Sequence, residues 1–326
     1  MAKAAADNLV PCILELGGKC PFICDDTTDL DYAAYKCVYG KFQNAGQTCI
    51  GVDYALVPES RLQEFIKYVL KQMKKQLGVD SKDPSSFKFN DNVGKLINQM
   101  TIDRLKSVME NSGGETLVGG VSTIDYEQRY ICPTIILNPR LDSQLMQEEI
   151  FGPILPILSY KDFDEVVDNY VNRLEKPLAV YYAGNFNSVN WNRLLKETSS
   201  GNITANDVLH HATEIEFGFG GVGHSGTGRV GGYEAFKLWS NGKSISKKYQ
   251  MNVWPYNWVC PPYNKTKIKV INQLMKIYHI KQNSFFRGLF KIIVIYFAYM
   301  ICFGKLGKSQ FRRELVGALI NKLKEL

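Results

Sequence analysis

Phe42-Gln43-Asn44-Ala45-Gly46-Gln47-Thr48-Cys49 places one cysteine behind a Gly-Gln-Thr turn, where a thiolate can be held for attack. The chain has eight cysteines, and a free cysteine more often packs as a small apolar side chain. Context turns Cys49 toward a nucleophile. Upstream, Leu14-Glu15-Leu16-Gly17-Gly18-Lys19 sets one carboxylate between two leucines, which would partly desolvate it and raise its pKa toward the range a general base needs. Downstream lies Glu148-Glu149-Ile150-Phe151-Gly152-Pro153, and later the glycine-rich Phe219-Gly220-Gly221-Val222-Gly223-His224-Ser225-Gly226. Each has a plainer reading on its own: Glu15 as an exposed strand-end carboxylate, Phe151 as a core aromatic at a turn. The glycine run is not flanked closely enough by a strand and a helix to be a phosphate loop.

In this order and at this spacing the four stretches resemble the aldehyde dehydrogenase superfamily. The wording around them is most similar to class 3, the branch that includes the fatty aldehyde dehydrogenases. The resemblance covers roughly residues 1 to 250. It implies that Cys49 attacks an aldehyde to give a thiohemiacetal, that hydride passes to NAD or NADP, and that Glu15 is the base for hydrolysis of the resulting thioester. Glu149 would accept hydrogen bonds from the nicotinamide ribose, and Phe151 would pack on the nicotinamide ring. With Cys49 at the start of a strand, its backbone N–H would be free to donate to the oxyanion. The glycines from Gly220 to Gly226 would let the chain turn under the substrate pocket.

The resemblance also implies about two hundred residues ahead of the Glu-Leu-Gly-Gly-Lys motif, holding the first βαβ units and the pyrophosphate loop, where this chain has fourteen. Residues 1–18 then read as the remnant of a cofactor-binding domain, with Met1 to Ala6 inside a helix. The class 3 pattern has Tyr-His-Gly at Val230-Gly231-Gly232 and proline at Gly218, which leaves the substrate chain length open. His210, His211 and His224 read as surface or packing residues. No metal site is expected; Cys20 and Cys24 have no partnering His or Cys cluster.

The elements that must position these residues are those of an α/β fold, a doubly wound parallel sheet with a helical C-terminal tail. Short β-rich runs alternate with helical patterns over residues 12–250. Strands are expected at Cys49 to Pro58, Leu155 to Tyr160, Leu178 to Ala183 and Gly201 to Asn206. A helix is expected from Glu59 to about Leu77, and another where Val93, Leu96, Ile97, Met100, Leu105, Val108 and Met109 recur at helical spacing. The resemblance implies that residues 19–250 are the catalytic domain, with an oligomerisation segment at its end.

Charge divides the chain. Residues 1–260 carry 26 basic against 30 acidic side chains, whereas the last 66 carry 13 against 2, so the overall +7 belongs to the tail. With no signal peptide and no paired cysteines, a reducing compartment follows. Residues 251–284 read as a basic linker and amphipathic helix, 285–304 as a hydrophobic anchor candidate, and 305–326 as a basic amphipathic tail. Ile292 to Phe303 is twelve apolar residues, short of the roughly twenty a span needs, and both flanks are basic. An in-plane or hairpin anchor fits better than a crossing, and a soluble partner-binding helix is a further reading.

The functional expectation is NAD(P)-dependent oxidation of long-chain or lipid-derived aldehydes by a membrane-associated enzyme. Its catalytic domain would be cytoplasmic, at the endoplasmic reticulum face. Aldehyde substrate and membrane lipid are the expected partners, with a homodimer in a full-length form and no nucleic acid. Two other classes compete: a non-catalytic, membrane-tethered relative that lost cofactor binding, and a thiolate hydrolase or acyltransferase, against which the Glu149-Phe151 motif argues.

Overall fold

Apolar runs without polar alternation make strands buried on both faces, as parallel sheets require. The computed structural model, which describes residues 1–247 and 260–278, builds such a sheet. Its strands and helices follow a short start, helix α1 (Ala2–Asp7) and the two-residue strand β1 (Leu14–Glu15). Then come β2 (Pro21–Cys24), helix α2 (Leu30–Phe42), β3 (Tyr54–Pro58), α3 (Leu62–Leu77) and α4 (Gln99–Glu110). After these are β4 (Glu115–Val118), β5 (Thr134–Leu137), α5 (Gln144–Gln147) and β6 (Ile154–Tyr160). A π-helical segment, Glu165–Val171, leads to β7 (Ala179–Ala183), α6 (Val189–Glu197), β8 (Asn202–Ala205), β9 (Gly226–Thr227) and α7 (Gly232–Leu238).

Seven strands lie in the order β4-β5-β6-β3-β2-β7-β8, parallel except for the β4–β5 pair. Every residue of β2 and β3 is buried. Their side chains alternate between faces: Phe22, Cys24, Ala55 and Val57 pack with α2 and α3, while Ile23, Tyr54 and Leu56 pack with Val166, Val167 and Leu194. A third cluster joins Leu105 and Val108 of α4 to Ile136 and Ile154. The sheet therefore has covered faces on both sides, the expected doubly wound arrangement.

Three of the four expected strands form within a residue or two of their expected ends, and the helix expected from Glu59 ends at Leu77 as expected but begins at Leu62, after a 3-10 turn over Glu59–Arg61. The fourth begins late. The chain makes a turn over Thr48–Gly51, Gly51 N donating to Thr48 O (2.8 Å), and β3 starts only at Tyr54. Cys49 thus sits in a turn ahead of the strand, not at its start. The helix expected from Val93 begins at Gln99, because Asn98 caps it: its Oδ1 accepts from Thr101 N at 2.9 Å. Val93 and Leu96 are buried, but in the connection before the helix.

Contacts group the chain into Met1–Lys243 and Ser244–Leu326. In the second part a helix, α8 (Lys265–Tyr278), covers the stretch read as amphipathic. Asn264 starts it, its Oδ1 accepting from Lys267 N at 2.8 Å. Among the described residues no helix is long and apolar enough to cross a membrane. The anchor candidate at 285–304 and the tail at 305–326 lie outside the described residues.

Candidate active site

Cys49 owes its position to a backbone that stops being helical. After α2, Asn44, Ala45 and Gly46 take φ of 54°, 54° and 72°. Left-handed residues other than glycine cost about 1–2 kcal/mol each, and side-chain hydrogen bonds offset that here. Asn44 Nδ2 donates to Gln47 O (2.9 Å), and Gln47 Nε2 donates to Asn44 O and Lys95 O (3.1 Å each). Ile97 N donates to Gln47 Oε1 at 3.1 Å. Beyond the cysteine, the buried Tyr181 hydroxyl donates to Ile50 O at 2.6 Å. A Cβ on Gly46 would collide with Gly152 O, so the cysteine loop rests directly on the Phe151-Gly152-Pro153 turn.

The Cys49 thiol is half-buried. Burial, and then hydrogen bonding and charge from Glu15, push it up to about 12, against a smaller opposing pull from the Ile50 N–H. The resting group is a thiol, where the sequence suggests a held thiolate. Among the described residues the Cys49 backbone N–H has no hydrogen-bond acceptor, which leaves it free to donate.

Glu15 is exposed, so the shielding expected from Leu14 and Leu16 is not found; Leu16 is itself 57% exposed. Its strand is instead held by the glycine-rich stretch. Leu14 pairs with Thr227 and Glu15 with Gly226, antiparallel, and Leu16 N donates to Ser225 O at 3.1 Å. Ser225 is buried and its Oγ accepts from Val222 N at 2.9 Å. Gly226, at φ 144°, has no room for a Cβ, which would strike Leu14 O. The glycine stretch therefore supports the Glu15 strand, and its Ser225 also borders the cavity beside Glu149.

Glu149 lies against Gly17, where an added Cβ would sit 2.8 and 2.9 Å from its two carboxylate oxygens. Burial raises its carboxyl to about 7, although a hydrogen bond from the Gly18 N–H acts to lower it. Phe151 is 40% exposed with φ 48°. A cavity of about 370 Å³ is bordered by Leu16, Gly17, Gly18, Lys19, Glu149 and Ser225 among others. Cys49, Glu15 and Phe151 do not line it. Cys49, Glu15 and Glu149 are nevertheless close enough that both carboxylates raise the thiol.

Several buried side chains at this site went unremarked in the sequence. Lys19 Nζ pairs with Asp53 and donates to Leu145 O (2.8 Å) and Glu148 O (2.9 Å). Asp53 Oδ1 accepts from Ile150 N at 3.0 Å, and Arg104 Nη2 donates to Ile150 O at 2.5 Å. Lys41 is buried, and burial pulls it down to about 8. A charged residue inside an apolar run, as in Gly40-Lys41-Phe42 and Val52-Asp53-Tyr54, was the available signal. Of the described histidines, His210 pairs with Asp207 (3.1 Å) and His211 packs between Tyr181 and Phe219, away from the site, whereas the exposed His224 borders the cavity.

A sequence profile of the aldehyde dehydrogenase family matches residues 1–245. Rat aldehyde dehydrogenase, dimeric NADP-preferring, is 38% identical over 79% of this chain and 54% of its own length. Rat aldehyde dehydrogenase family 3 member A2 is 36% identical over 82% of this chain and 56% of its own. The substrate-bound structure of Staphylococcus aureus AldH aligns with a TM-score of 0.73 at 36% identity, over 84% of this chain and 57% of that one. The chain spans about half the length of the curated relatives it matches.

Proposed function

The chain belongs to the aldehyde dehydrogenase family, and from that membership and the site's geometry we propose that it carries the thiol machinery for oxidising an aldehyde to a carboxylic acid. The observation that carries the proposal is the meeting of Cys49, Glu15 and Glu149, from three separate motifs, at one place. Glu15 takes the proton of Cys49, and the sulfur attacks the carbonyl carbon while the Cys49 N–H receives the developing oxyanion. Because the thiol stands at about 12, this proton transfer accompanies attack. Glu15 passes this proton to solvent. After oxidation of the sulfur-bound carbon, its carboxylate takes a proton from water as that water adds to the thioester. The carbon–sulfur bond then breaks, and Glu15 returns the proton to the departing sulfur, so that the thiol is restored.

The residues present fit the nicotinamide end of a dinucleotide. Gly17, Gly18 and Glu149 border one cavity, with the Glu149 carboxylate against Gly17. Glu149 would hold the ribose hydroxyls and Phe151 the ring face. When bound, NAD or NADP supplies the hydride acceptor. These residues address only that end, so calorimetry with the 326-residue chain is expected to give an affinity for NAD weaker than micromolar; micromolar binding would show that the cofactor site is misassigned.

A lipid-derived aldehyde and docking to an anionic membrane surface are supported by the 13 basic side chains among the last 66 residues. This reading puts the catalytic domain on the cytoplasmic side. The printed name of the rat relative, dimeric, supports a homodimer. Hydrolysis of an activated ester tests the thiol machinery without hydride transfer. p-Nitrophenyl acetate is expected to give a nitrophenolate burst with acetyl trapped on Cys49; a burst that survives Cys49→Ala would refute the assignment.

A further inference from the structure

The turn that carries Glu149 and Phe151 is tied down at three backbone atoms, Glu148 O, Ile150 N and Ile150 O, by side chains outside the reaction. Phe151 is left-handed at φ 48°, a strain that persists only where the surroundings over-determine it. On its N-terminal side, Lys19 Nζ donates to Leu145 O (2.8 Å) and Glu148 O (2.9 Å), and Asp53 Oδ1 accepts from Ile150 N (3.0 Å). Arg104 Nη2 takes Ile150 O at 2.5 Å. On the C-terminal side Gly152 lies against Gly46 of the cysteine loop. Lys19 and Asp53 have side chains only 4% exposed each, and they pair with one another. A buried pair whose only task was to hold the sheet would not send its spare hydrogen bonds to three backbone atoms of one segment.

We propose that Lys19 and Asp53 are positioning residues, whose buried ion pair holds the Glu148–Gly152 turn so that Glu149 faces Gly17 and Gly18 beside Cys49. The pair links the motif that contains the base to the motif that contains the clamp, since Lys19 is the last residue of Glu15-Leu16-Gly17-Gly18-Lys19. Its functional meaning rests on the assignment of Glu149 as the ribose clamp. The geometry itself does not.

Glu149 reports on the turn, because its carboxyl stands at about 7 through burial in this position. Lys19, Lys41 and Asp53 act on it by charge, the Cys49 and Cys20 thiols lie near it, and Arg173, Glu175, Lys176 and His224 border the same cavity. Replacing the pair together, Lys19→Met with Asp53→Leu, removes one charge of each sign and the pair's own bonds to the turn, leaving the Arg104 bond to Ile150 O as the remaining side-chain tie. Buried pairs often tolerate such apolar replacement without unfolding. Carbon-13 NMR titration of glutamate-labelled full-length chain, with Glu149 assigned by its loss in Glu149→Gln, is the measurement. Near-ultraviolet circular dichroism checks the fold.

Release of the turn lets Glu149 reach water, so its pKa is expected to fall by about one pH unit or more. A folded double variant in which Glu149 still titrates near 7 would overturn the proposal, leaving the pair a general core contact. A double variant that does not fold would overturn it too, by assigning the pair to the stability of the whole sheet. Neither result depends on dinucleotide binding. Failure to bind NAD would in turn leave this inference standing.

Discussion

The two flanks of Cys49 are held in opposite ways. On one side, the Glu149 turn is fixed by buried charge, by Arg104 and by the backbone contact of Gly152 with Gly46. On the other, Glu15 sits exposed on a two-residue strand whose partner strand is also two residues long. Rigid placement on the clamp side suits a group that must present a fixed surface to a ligand, since misplacement by an ångström is costly. In the proposed reaction Glu15 serves first a thiol and then a water, two positions that a light attachment allows it to reach. The difference teaches that one site can be preorganised on one flank and left adjustable on the other.

The largest effects fall on the chemistry of the adjustable flank. Cys49→Ala is expected to cut ester hydrolysis by about 10³-fold or more, measured as nitrophenolate release. Glu15→Gln is expected to cost about 10²–10⁴-fold in deacylation yet to speed iodoacetamide labelling of Cys49, mapped by mass. The sign follows from the cited causes. Glu15 raises the thiol toward about 12, so its removal lowers that value and increases the thiolate fraction. Slower labelling in Glu15→Gln would show that Glu15 acts on the thiol more as the acceptor of its proton than as the charge that raises it.

Two glycines sharpen the contrast. Gly46→Ala forces a Cβ into Gly152 O at φ 72°, and Gly226→Ala forces one into Leu14 O at φ 144°. The local insult is similar, but the consequences differ. Gly46 joins two core-linked segments and adjoins Ala45, which packs with Leu105 and Ile150, so the expected cost is about 3 kcal/mol or more of global stability. Gly226 can be relieved by detaching β1, whose residues are exposed or half-buried. Urea unfolding is expected to move by about 1 kcal/mol or less while deacylation slows as in Glu15→Gln. Equal losses of global stability would erase the distinction between the flanks.

What could be read from the sequence follows the range of the contacts involved. Tyr54–Pro58 and Ala179–Ala183 were legible because a strand buried on both faces needs only a local apolar run. Gln99–Glu110 was legible in type but not at its start, since the apolar spacing runs on through Val93 and Leu96 while the Asn98 cap decides where helix begins. The four motifs picked out Cys49, Glu15 and Glu149, which the fold brings near one another, yet they said nothing of the surroundings. Leu14 and Leu16 look like shielding in sequence, but Glu15 pairs with Gly226, far along the chain, and stays in water. Lys19, Asp53 and Glu148 converge only after the sheet has formed, so no local pattern announces the clamp.

The smallest effect concerns a charge inside the rigid flank. Lys41 is buried beside Asp53, Lys19 and Glu149, and its ammonium has no hydrogen-bond acceptor among the described residues. Burial holds it down to about 8, against roughly 10.4 for an unfolded chain. The unfolded state therefore binds more protons between those values, and stability from this group rises with pH across that window. Below about 8 the full cost of the buried charge is present. Lys41→Met keeps the length and apolar stem, so it is expected to raise stability at pH 7 by about 1–3 kcal/mol and to flatten the rise between pH 8 and 10. Loss of Lys41 also removes one cation that lowers Glu149, so Glu149 should titrate higher than before, opposite in sign to release of its turn. Urea midpoints at pH 7 and 10 check the first claim and glutamate NMR the second. A destabilised Lys41→Met at pH 7 would mean that this cation holds the clamp together alongside Lys19.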